Sequence, residues 1–170
     1  MDAKELRAMQ APFKARYQDD PAAARITLRA SGQLDESALA CKVETGRAMV
    51  TAGLHPATGG SGLQACSGDM LLEALVACAG VTLRAVATAL AIPIKRGTVT
   101  AEGDLDFRGT LGVAKDVAVG FKSIRLKFDL DSDAAADKID TLLKLTERYC
   151  VVYQTLRQSP AIAIACSQRA

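Results

Sequence analysis

The stretch MLLEALVACAGVTLRAVATAL, residues 70–90, is the longest run of this sequence with little charge, and it decides the fold. Two charged residues interrupt it, Glu73 and Arg84. The run is close to the length of a membrane span, but its richness in Ala, Thr and Gly favours a helix buried in a protein core. Ser67 is a suitable N-cap, and Pro93 marks the exit of the helix. We therefore expect a long central helix from Ser67 to about Leu90.

Segments on the carboxyl side of this helix predict strands. Apolar and polar residues alternate in 98–107 and again in 124–131, which is typical of half-buried antiparallel strands. The residues expected to face inward are Val99, Ala101, Leu105, Phe107, Ile124, Leu126, Phe128 and Leu130. The shorter alternation in 161–166 predicts a last strand.

Helical segments are predicted near both ends of the chain. The first eighteen or so residues have an amphipathic pattern, with an apolar face that carries Leu6, Met9, Phe13 and Tyr17. Pro12 is expected to kink or divide this helix, and residues 19–21 to end it. Asp131-Ser132-Asp133 is suited to cap a second helix that runs to about Arg148, and 150–157 predicts one or two further turns.

Three more strands are predicted before the central helix, at residues 26–30, 39–43 and 48–54. Ser31-Gly32 is expected to stop the first strand, and Thr45-Gly46 to make a hairpin of the other two. The order of elements is therefore α, β-β-β, α, β-β, α, β. This order indicates an α+β domain, with an antiparallel sheet of about six strands covered by the long central helix and the second helix.

The composition restricts the possible functions. The chain has 170 residues, a net charge of +2 with both signs mixed, and a single histidine. These values suit one domain and exclude a basic nucleic-acid-binding protein and a His-rich metal site. Residues 1–20 are rich in charge and lack an apolar signal segment, so we expect a cytoplasmic protein that does not span a membrane. No bound cofactor is expected.

Five cysteines are the main chemical resource of the chain: Cys41, Cys66, Cys78, Cys150 and Cys166. Their odd number and the lack of a CxxC spacing argue against a disulfide framework and give a zinc site no support. Packing as a small hydrophobe is the expected role of Cys41 and Cys166, and composition alone favours the same role for Cys78. Cys150 follows polar residues at a helix junction, where we expect more exposure. Cys66 precedes a helix N-terminus, which lowers thiol pKa values. Spacing alone does not choose among them.

Three segments carry a resemblance: GDMLLEALVACAGVTLRAVA (68–87), DLDFRGTLGVAKDVAVGF (104–121) and ERYCVVYQTL (147–156). Together they resemble the OsmC/Ohr family of thiol-dependent hydroperoxide reductases and their uncharacterised relatives. The specific part is a cysteine inside the long helix followed by a second cysteine in the last segment. The resemblance spans roughly residues 25–166, so we expect an N-terminal helical extension, 1–24, and an OsmC-like domain, 25–170. It also implies an intertwined homodimer with active sites at the dimer interface.

The resemblance implies a mechanism with two thiols. Cys78 would attack the terminal oxygen of a hydroperoxide, release an alcohol and become a sulfenic acid. Cys150 would condense with it to a disulfide, which an external dithiol then reduces. The expected partners are a second copy of the chain, a hydroperoxide or other small apolar ligand, and an external dithiol reductant. No nucleic acid and no membrane are expected.

An apolar site raises the pKa of a thiol, so we expect a nearby cation to hold Cys78 as a thiolate. The peroxidases of this family use a loop arginine, paired with a glutamate ten residues before the reactive cysteine. Here the corresponding loop, 31–36, has no arginine, and Gly68 stands at the glutamate position. Asp69 resembles the acidic position of the broader family and is the third candidate site residue. Alternatively it is a charge at a helix N-terminus. The remaining candidate cations are Arg29, Arg47 and Arg108.

Two alternatives belong to other functional classes. The chain is either a non-catalytic member that binds a small acyl or lipid-like ligand in an apolar pocket, or a dimeric scaffold whose cysteines only pack. The missing loop arginine favours these alternatives, whereas the presence of both motif cysteines favours the peroxidase. Two loop features are weaker. His55 is expected to be structural or solvated, and 59–62 lacks a phosphate-binding pattern and predicts a flexible loop.

Overall fold

The computed structural model describes residues 2–19, 31–34, 40–44, 49–112 and 114–168. Its helices are α1 (Ala3–Asp19), α2 (Ser67–Ala89), α3 (Phe107–Thr110), α4 (Ala136–Tyr149) and α5 (Val151–Arg157). Its strands are β1 (Ser31–Leu34), β2 (Ala40–Glu44), β3 (Met49–Gly53), β4 (Ala65–Cys66), β5 (Arg96–Leu105) and β6 (Phe121–Asp131), and a 3-10 turn covers Pro56–Thr58. The predicted α+β class with a long central helix is confirmed.

The strands of the described residues lie in two sheets rather than in the single sheet that the sequence predicts. One sheet has the order β1-β2-β3-β4, and the other consists of β5 and β6. The pairs β1-β2, β2-β3 and β5-β6 are antiparallel, which confirms the predicted hairpin of β2 and β3. β4 instead runs parallel to β3, with Ala65 opposite Ala52 and Cys66 opposite Gly53. Within the described residues, the strands therefore do not form one wholly antiparallel sheet of six.

α2 is the helix around which the fold is built. Its buried side chains are Leu75, Ala79, Leu83 and Ala87, which recur every four residues and form one stripe. The helix packs against β5, α4 and α5, and the end of its stripe joins Ile92 and Leu142 in the core. Length and composition alone would also suit a membrane span. The buried stripe agrees instead with the predicted core helix.

β6 alternates as the sequence predicts. Its partly buried residues are Ile124, Leu126, Phe128 and Leu130, and the intervening residues are exposed. On the exposed face, the Arg125 guanidinium pairs with the carboxylates of Glu102 (3.3 Å) and Asp104 across the hairpin. One face of the β5-β6 hairpin is thus polar, while the other turns apolar side chains toward the helices.

The predicted N-cap of α4 is wrong. The helix begins at Ala136, because the side chains expected to cap it bind the turn that follows α2. The Ser132 hydroxyl donates to the Pro93 carbonyl (2.6 Å), and the Asp133 carboxylate pairs with Lys95 (2.7 Å). These contacts tie the start of α4 to the end of α2.

Two other element ends differ from the prediction. Ser67 is the first residue of α2, and Cys66 is the N-cap, without a side-chain capping bond. Phe107 begins α3 instead of ending β5, because the Asp106 carboxylate accepts the N–H of Arg108 (3.1 Å) and caps the short helix.

α1 is continuous through Pro12, so the prediction that this residue divides the helix is wrong. Asp2 and Glu5 form a capping box at its start, in which each carboxylate accepts the N–H of the other residue at 2.8 Å. The Leu6 side chain is buried where α1 packs on α2. The other side chains of the predicted apolar face lie outside the described side chains.

Part of the predicted N-terminal sheet also lies outside the described residues, namely the strand at 26–30 and the turn at 45–46. Ser31-Gly32 is described, and it does not stop a strand. It begins β1, which pairs with β2.

The predicted C-terminal strand at 161–166 is not formed. Residues 159–168 have no regular secondary structure, and Ile162 and Ile164 are 82% and 94% exposed. A strand is stabilised by a neighbour that satisfies its N–H and C=O groups, and the described part of a single chain supplies no such neighbour here. Cys166, which was expected to pack on this strand, is exposed for the same reason.

Candidate active site

Cys78 and Cys150 meet where α2 packs against α5. Cys78 lies in the middle of α2 and is half-buried. Cys150 ends α4, is the N-cap of α5 and is only 1% exposed. Its N–H donates to the Thr146 carbonyl (2.9 Å), and its carbonyl accepts the N–H of Gln154 (3.0 Å). Both helices therefore hold Cys150 in place, and the prediction that it is more exposed is wrong.

Hydrogen-bond donors from two elements surround the Cys78 sulfur. Two of them are the backbone N–H groups of Val151 and Val152, at the start of α5, where N–H groups have no partner inside their own helix. The others are the Cys150 thiol and the hydroxyl of Thr82, which lies one turn further along α2. The structure thus joins two cysteines that are 72 residues apart in the sequence.

Burial by itself raises the pKa of the Cys78 thiol, but the surrounding donors outweigh it, and the net pKa is lowered. The lowering contributions are, from largest to smallest, the Val152 N–H, the Cys150 thiol, the Val151 N–H and the Thr82 hydroxyl. Hydrogen bonds donated to a thiolate stabilise its charged form. A lower pKa increases the fraction of Cys78 that is nucleophilic at neutral pH.

The pKa of Cys150 is shifted in the opposite direction. Burial raises it, and the contact with Cys78 raises it further, while the N–H groups of Tyr153 and Val152 partly offset the increase. Cys150 therefore keeps its proton and can donate it in a hydrogen bond to the Cys78 thiolate.

The predicted cation is not among the groups that lower the pKa of Cys78 in the described part of the chain. Of the candidates, Arg108 pairs with Asp106 (2.6 Å), and Arg29 and Arg47 lie outside the described residues. The Arg84 guanidinium, on the same helix as Cys78, donates to the Ile94 carbonyl (3.1 Å). Within the described part of the chain, the groups that lower the pKa of Cys78 are uncharged donors.

Asp69 is not brought to the thiols within one chain. It is exposed in the first turn of α2, nine residues before Cys78. Nine residues rotate an α-helix by two and a half turns, which places the two side chains on opposite faces, about 13 Å apart along the axis. There Asp69 borders a shallow depression beside Glu73 and Ala101. This position agrees with the alternative of a charge at the helix N-terminus.

The remaining cysteines do not join this pair among the described side chains. Cys66 is half-buried at the start of α2, and Cys166 is exposed in the C-terminal segment. Cys41 lies in β2, and its side chain is outside the description. Within the residues that the structure describes, no group of three His, Cys, Asp or Glu side chains is placed to hold a metal ion.

His55 has a structural role, as expected. Its Nδ1 accepts the N–H of Ala57 (3.0 Å) and caps the 3-10 turn, and its ring stacks on Phe107 with the centroids 5.0 Å apart. The glycine-rich loop continues from this turn. A Cβ at Gly60 would overlap the Leu54 carbonyl oxygen, so only glycine permits this close approach.

An open groove of about 700 Å³ begins one helical turn from the thiols. Leu75, three residues before Cys78, and Tyr153, three residues after Cys150, both line it. Its other apolar lining residues are Phe121, Ile124, Leu126, Phe128, Leu143 and Leu156, and its charged ones are Lys122, Lys127, Glu147 and Arg157. The groove suits a small molecule with an apolar body.

The sequence did not predict Thr82, Val151 and Val152 as groups that lower the pKa of Cys78. The spacing of four residues between Cys78 and Thr82 could have indicated the first, because such pairs share a helix face. No local signal indicates that the start of α5 docks on Cys78.

The known proteins to which this chain is similar belong to one family. Residues 60–165 match the family model for OsmC-like proteins. The fold is similar to an OsmC-like protein from Mycoplasma pneumoniae, with a TM-score of 0.65 and 19% identity over 79% of this chain and 89% of that one. An organic hydroperoxide resistance protein from Elizabethkingia anophelis matches with a TM-score of 0.64 and 15% identity, over 80% and 91% of the chains.

A third similar structure, the organic hydroperoxide resistance protein OsmC from Legionella pneumophila, has a TM-score of 0.62 and 17% identity over 79% of this chain and 92% of that one. At such identities the likeness concerns the fold. None of the curated proteins matches the chain.

Proposed function

Because the chain belongs to the family of OsmC-like proteins, we propose that it is a thiol-dependent hydroperoxide reductase. Cys78 is the peroxidatic thiol and Cys150 the resolving thiol. The observation that carries the proposal is their contact, in which the pKa of Cys78 is lowered and that of Cys150 is raised. The chemistry needs one ionised sulfur as nucleophile and a second that stays protonated until the first is oxidised.

The reaction balances with these two groups and an external dithiol. The Cys78 thiolate attacks the terminal oxygen of the hydroperoxide, so that a sulfur–oxygen bond forms, the oxygen–oxygen bond breaks, and an alkoxide leaves and is protonated to an alcohol. Cys150 loses its proton and attacks the sulfur of the resulting sulfenic acid, and hydroxide leaves as the disulfide forms. The external dithiol then supplies two electrons and two protons. A cytoplasmic location, where thiols are kept reduced, agrees with this last step.

The groove beside the thiols favours an organic hydroperoxide over hydrogen peroxide, because its apolar lining would contact the organic part of the substrate. The same groove supports the non-catalytic alternative, a protein that binds a small apolar ligand without chemistry. The two functions differ in whether a peroxide oxidises the thiols.

Mixing reduced protein with one equivalent of cumene hydroperoxide is expected to form a Cys78–Cys150 disulfide within seconds to minutes, and hydrogen peroxide is expected to act more slowly. Trapping with N-ethylmaleimide followed by peptide mass spectrometry identifies the bond. Cys166→Ser is the matched control, since it removes an exposed thiol away from the pair. If neither peroxide causes thiol loss over minutes, the reductase is excluded and the ligand-binding alternative is favoured.

We also propose that the protein is a homodimer. Apolar side chains that a single chain leaves exposed support this proposal. Val81 on α2 is 73% exposed, and Ile162 and Ile164 in the C-terminal segment are still more exposed. The β5-β6 sheet has no third strand in the described chain, so its edges can accept another. We expect the alternating segment 161–166 to become a strand when a partner chain is present.

Ile162→Asp combined with Ile164→Asp is expected to convert the dimer into a monomer, measured by light scattering after size-exclusion chromatography. Both side chains are exposed in the single chain, so the change should hardly lower the stability of a monomer. A lower measured molar mass would therefore show that the two chains no longer associate. Val at both positions is the control and should keep the dimer. A wild-type protein that elutes as a monomer at micromolar concentration contradicts the proposal.

A further inference from the structure

Phe121 is turned into the groove by an irregularity at the start of β6. The residues after Lys122 pair in regular register with β5, but Phe121 pairs with Leu105 one position out of step, so Lys122 is an extra residue on β6. In a regular strand Phe121 and Ile124 would face opposite ways, because successive side chains alternate. A bulge re-aims the side chain beside it. Phe121 and Ile124 therefore lie together on the half-buried face.

The ring of Phe121 occupies space that two glycines leave free. A Cβ at Gly103, on the neighbouring strand, would overlap the ring, and a Cβ at Gly68, in the first turn of α2, would lie 3.6 Å from the ring's Cζ. Aromatic side chains reach the diagonal neighbour on an adjacent strand, and such contacts stabilise a sheet. The ring is thus held between the β5-β6 hairpin and the beginning of α2.

The β5-β6 hairpin lies alongside α2, which places Phe121 far from the thiols. Val99, which pairs with Phe128, lies against Gly80, two residues after Cys78. At the other end of the hairpin, Phe121 contacts α2 ten residues before Cys78. Ten residues of helix span about 15 Å. Since Phe121 and Phe128 both line the groove, it extends from the level of the reactive thiol to Phe121.

We propose that Phe121 determines the substrate range of the site, because it closes the far end of the groove and limits the length of the organic part of the hydroperoxide. The inference rests on the proposed function in taking the groove as the place for this organic part. The ligand that fits is a straight apolar chain, with its reactive end at Cys78 and its free end at the Phe121 ring. Ile124 and Leu126 line the groove between these two ends.

Binding of straight-chain primary alcohols tests the proposal, because it needs no peroxide and no thiol chemistry. Displacement of Nile red from the reduced protein, followed by fluorescence, measures the affinities of alcohols from hexanol to tetradecanol. Each methylene that becomes buried should strengthen binding about fourfold. In the wild-type protein this increase should stop at a chain-length limit, where the chain reaches Phe121. In Phe121→Ala the limit should move to longer alcohols.

Phe107→Ala is the matched control, since Phe107 is another half-buried ring at the same end of the hairpin and does not line the groove. It should keep the wild-type limit. An unchanged limit in Phe121→Ala overturns the inference, even if the wild-type protein reduces peroxides. A wild-type protein that binds none of the alcohols also overturns it, and a segment of a second copy would then be the better occupant of the groove.

A longer limit in Phe121→Ala supports the inference even if no peroxide is reduced, in which case the proposed function fails separately. In an active enzyme, kcat/KM for a long straight-chain hydroperoxide, relative to that for cumene hydroperoxide, should rise about tenfold in Phe121→Ala. An unchanged ratio contradicts the role of Phe121. If Phe121→Ala does not fold, Phe121→Leu should move the limit in the same direction by a smaller amount.

Discussion

Replacing Cys78 by serine is expected to abolish peroxide reduction, with a loss of at least about a thousandfold in rate. A serine hydroxyl does not ionise at neutral pH, and the donors at this position then have no anion to stabilise. The variant is expected to fold, because the side chain is only half-buried and already contacts hydrogen-bond donors. The measurement is the consumption of cumene hydroperoxide with dithiothreitol as the reductant.

Cys150→Ser separates the two thiol roles. It should consume about one equivalent of peroxide in the first turnover and then accumulate Cys78 sulfenic acid, which dimedone traps. Wild-type protein should show little trapped sulfenic acid, since Cys150 already contacts the Cys78 sulfur. Rapid continued turnover by Cys78→Ser would contradict the assignment of the nucleophile. Equal dimedone labelling of wild type and Cys150→Ser would contradict that of the resolving thiol.

Among the described residues, uncharged hydrogen-bond donors rather than a cation lower the pKa of Cys78. An arginine stabilises a thiolate by charge, whereas the N–H groups of Val151 and Val152 do so with fixed dipoles that α5 leaves unpaired. Such groups are already oriented before the reaction and need no reorganisation. The Cys150 thiol adds a further donor, and in the proposed reaction it is also the second reactant.

The strands and the central helix could be predicted because their signal is local. The alternation from Ile124 to Leu130 and the low charge of 70–90 are read directly from neighbouring residues. The N-cap of α4 could not be predicted in this way. Ser132 and Asp133 are residue types that often cap helices, but here they bind Pro93 and Lys95 instead. The segment 161–166 has the pattern of a strand, and this pattern alone does not tell whether a partner strand is present.

The site was only partly predictable. The residues alone left the roles of the five cysteines open, and the resemblance selected Cys78 and Cys150. The burial of Cys150 was missed because polar neighbours in the sequence do not reveal that α4 and α5 both turn it toward α2. Asp69 resembles the acidic position of the broader family, yet nine residues of helix place it on the face opposite Cys78.

Leu142→Ala is expected to lower the free energy of unfolding by about 2–5 kcal/mol. Leu142 is fully buried and packs with Leu83 and Ala87, so its truncation leaves a cavity between α4 and α2. A loss of this size is a large fraction of the about 5–15 kcal/mol that stabilises a typical domain. Urea unfolding followed by circular dichroism, at one protein concentration and with a reductant present, measures it.

The same substitution is also expected to act on the thiols, because Cys150 directly follows α4 and Leu142 is a fully buried residue of this helix that packs against α2. A looser α4 would weaken the contacts of Cys150 and α5 with the Cys78 sulfur. The pH midpoint for alkylation of Cys78 by iodoacetamide, which reports its thiolate form, should therefore rise in the folded variant. Leu111→Ala is the control, since this leucine is 55% exposed in a turn away from the core, and its removal should change stability by less than about 0.5 kcal/mol. If Leu142→Ala lowers the free energy of unfolding by less than about 1 kcal/mol and leaves the pH midpoint of Cys78 alkylation unchanged, the packing of α4 on α2 does not set the position of the second thiol.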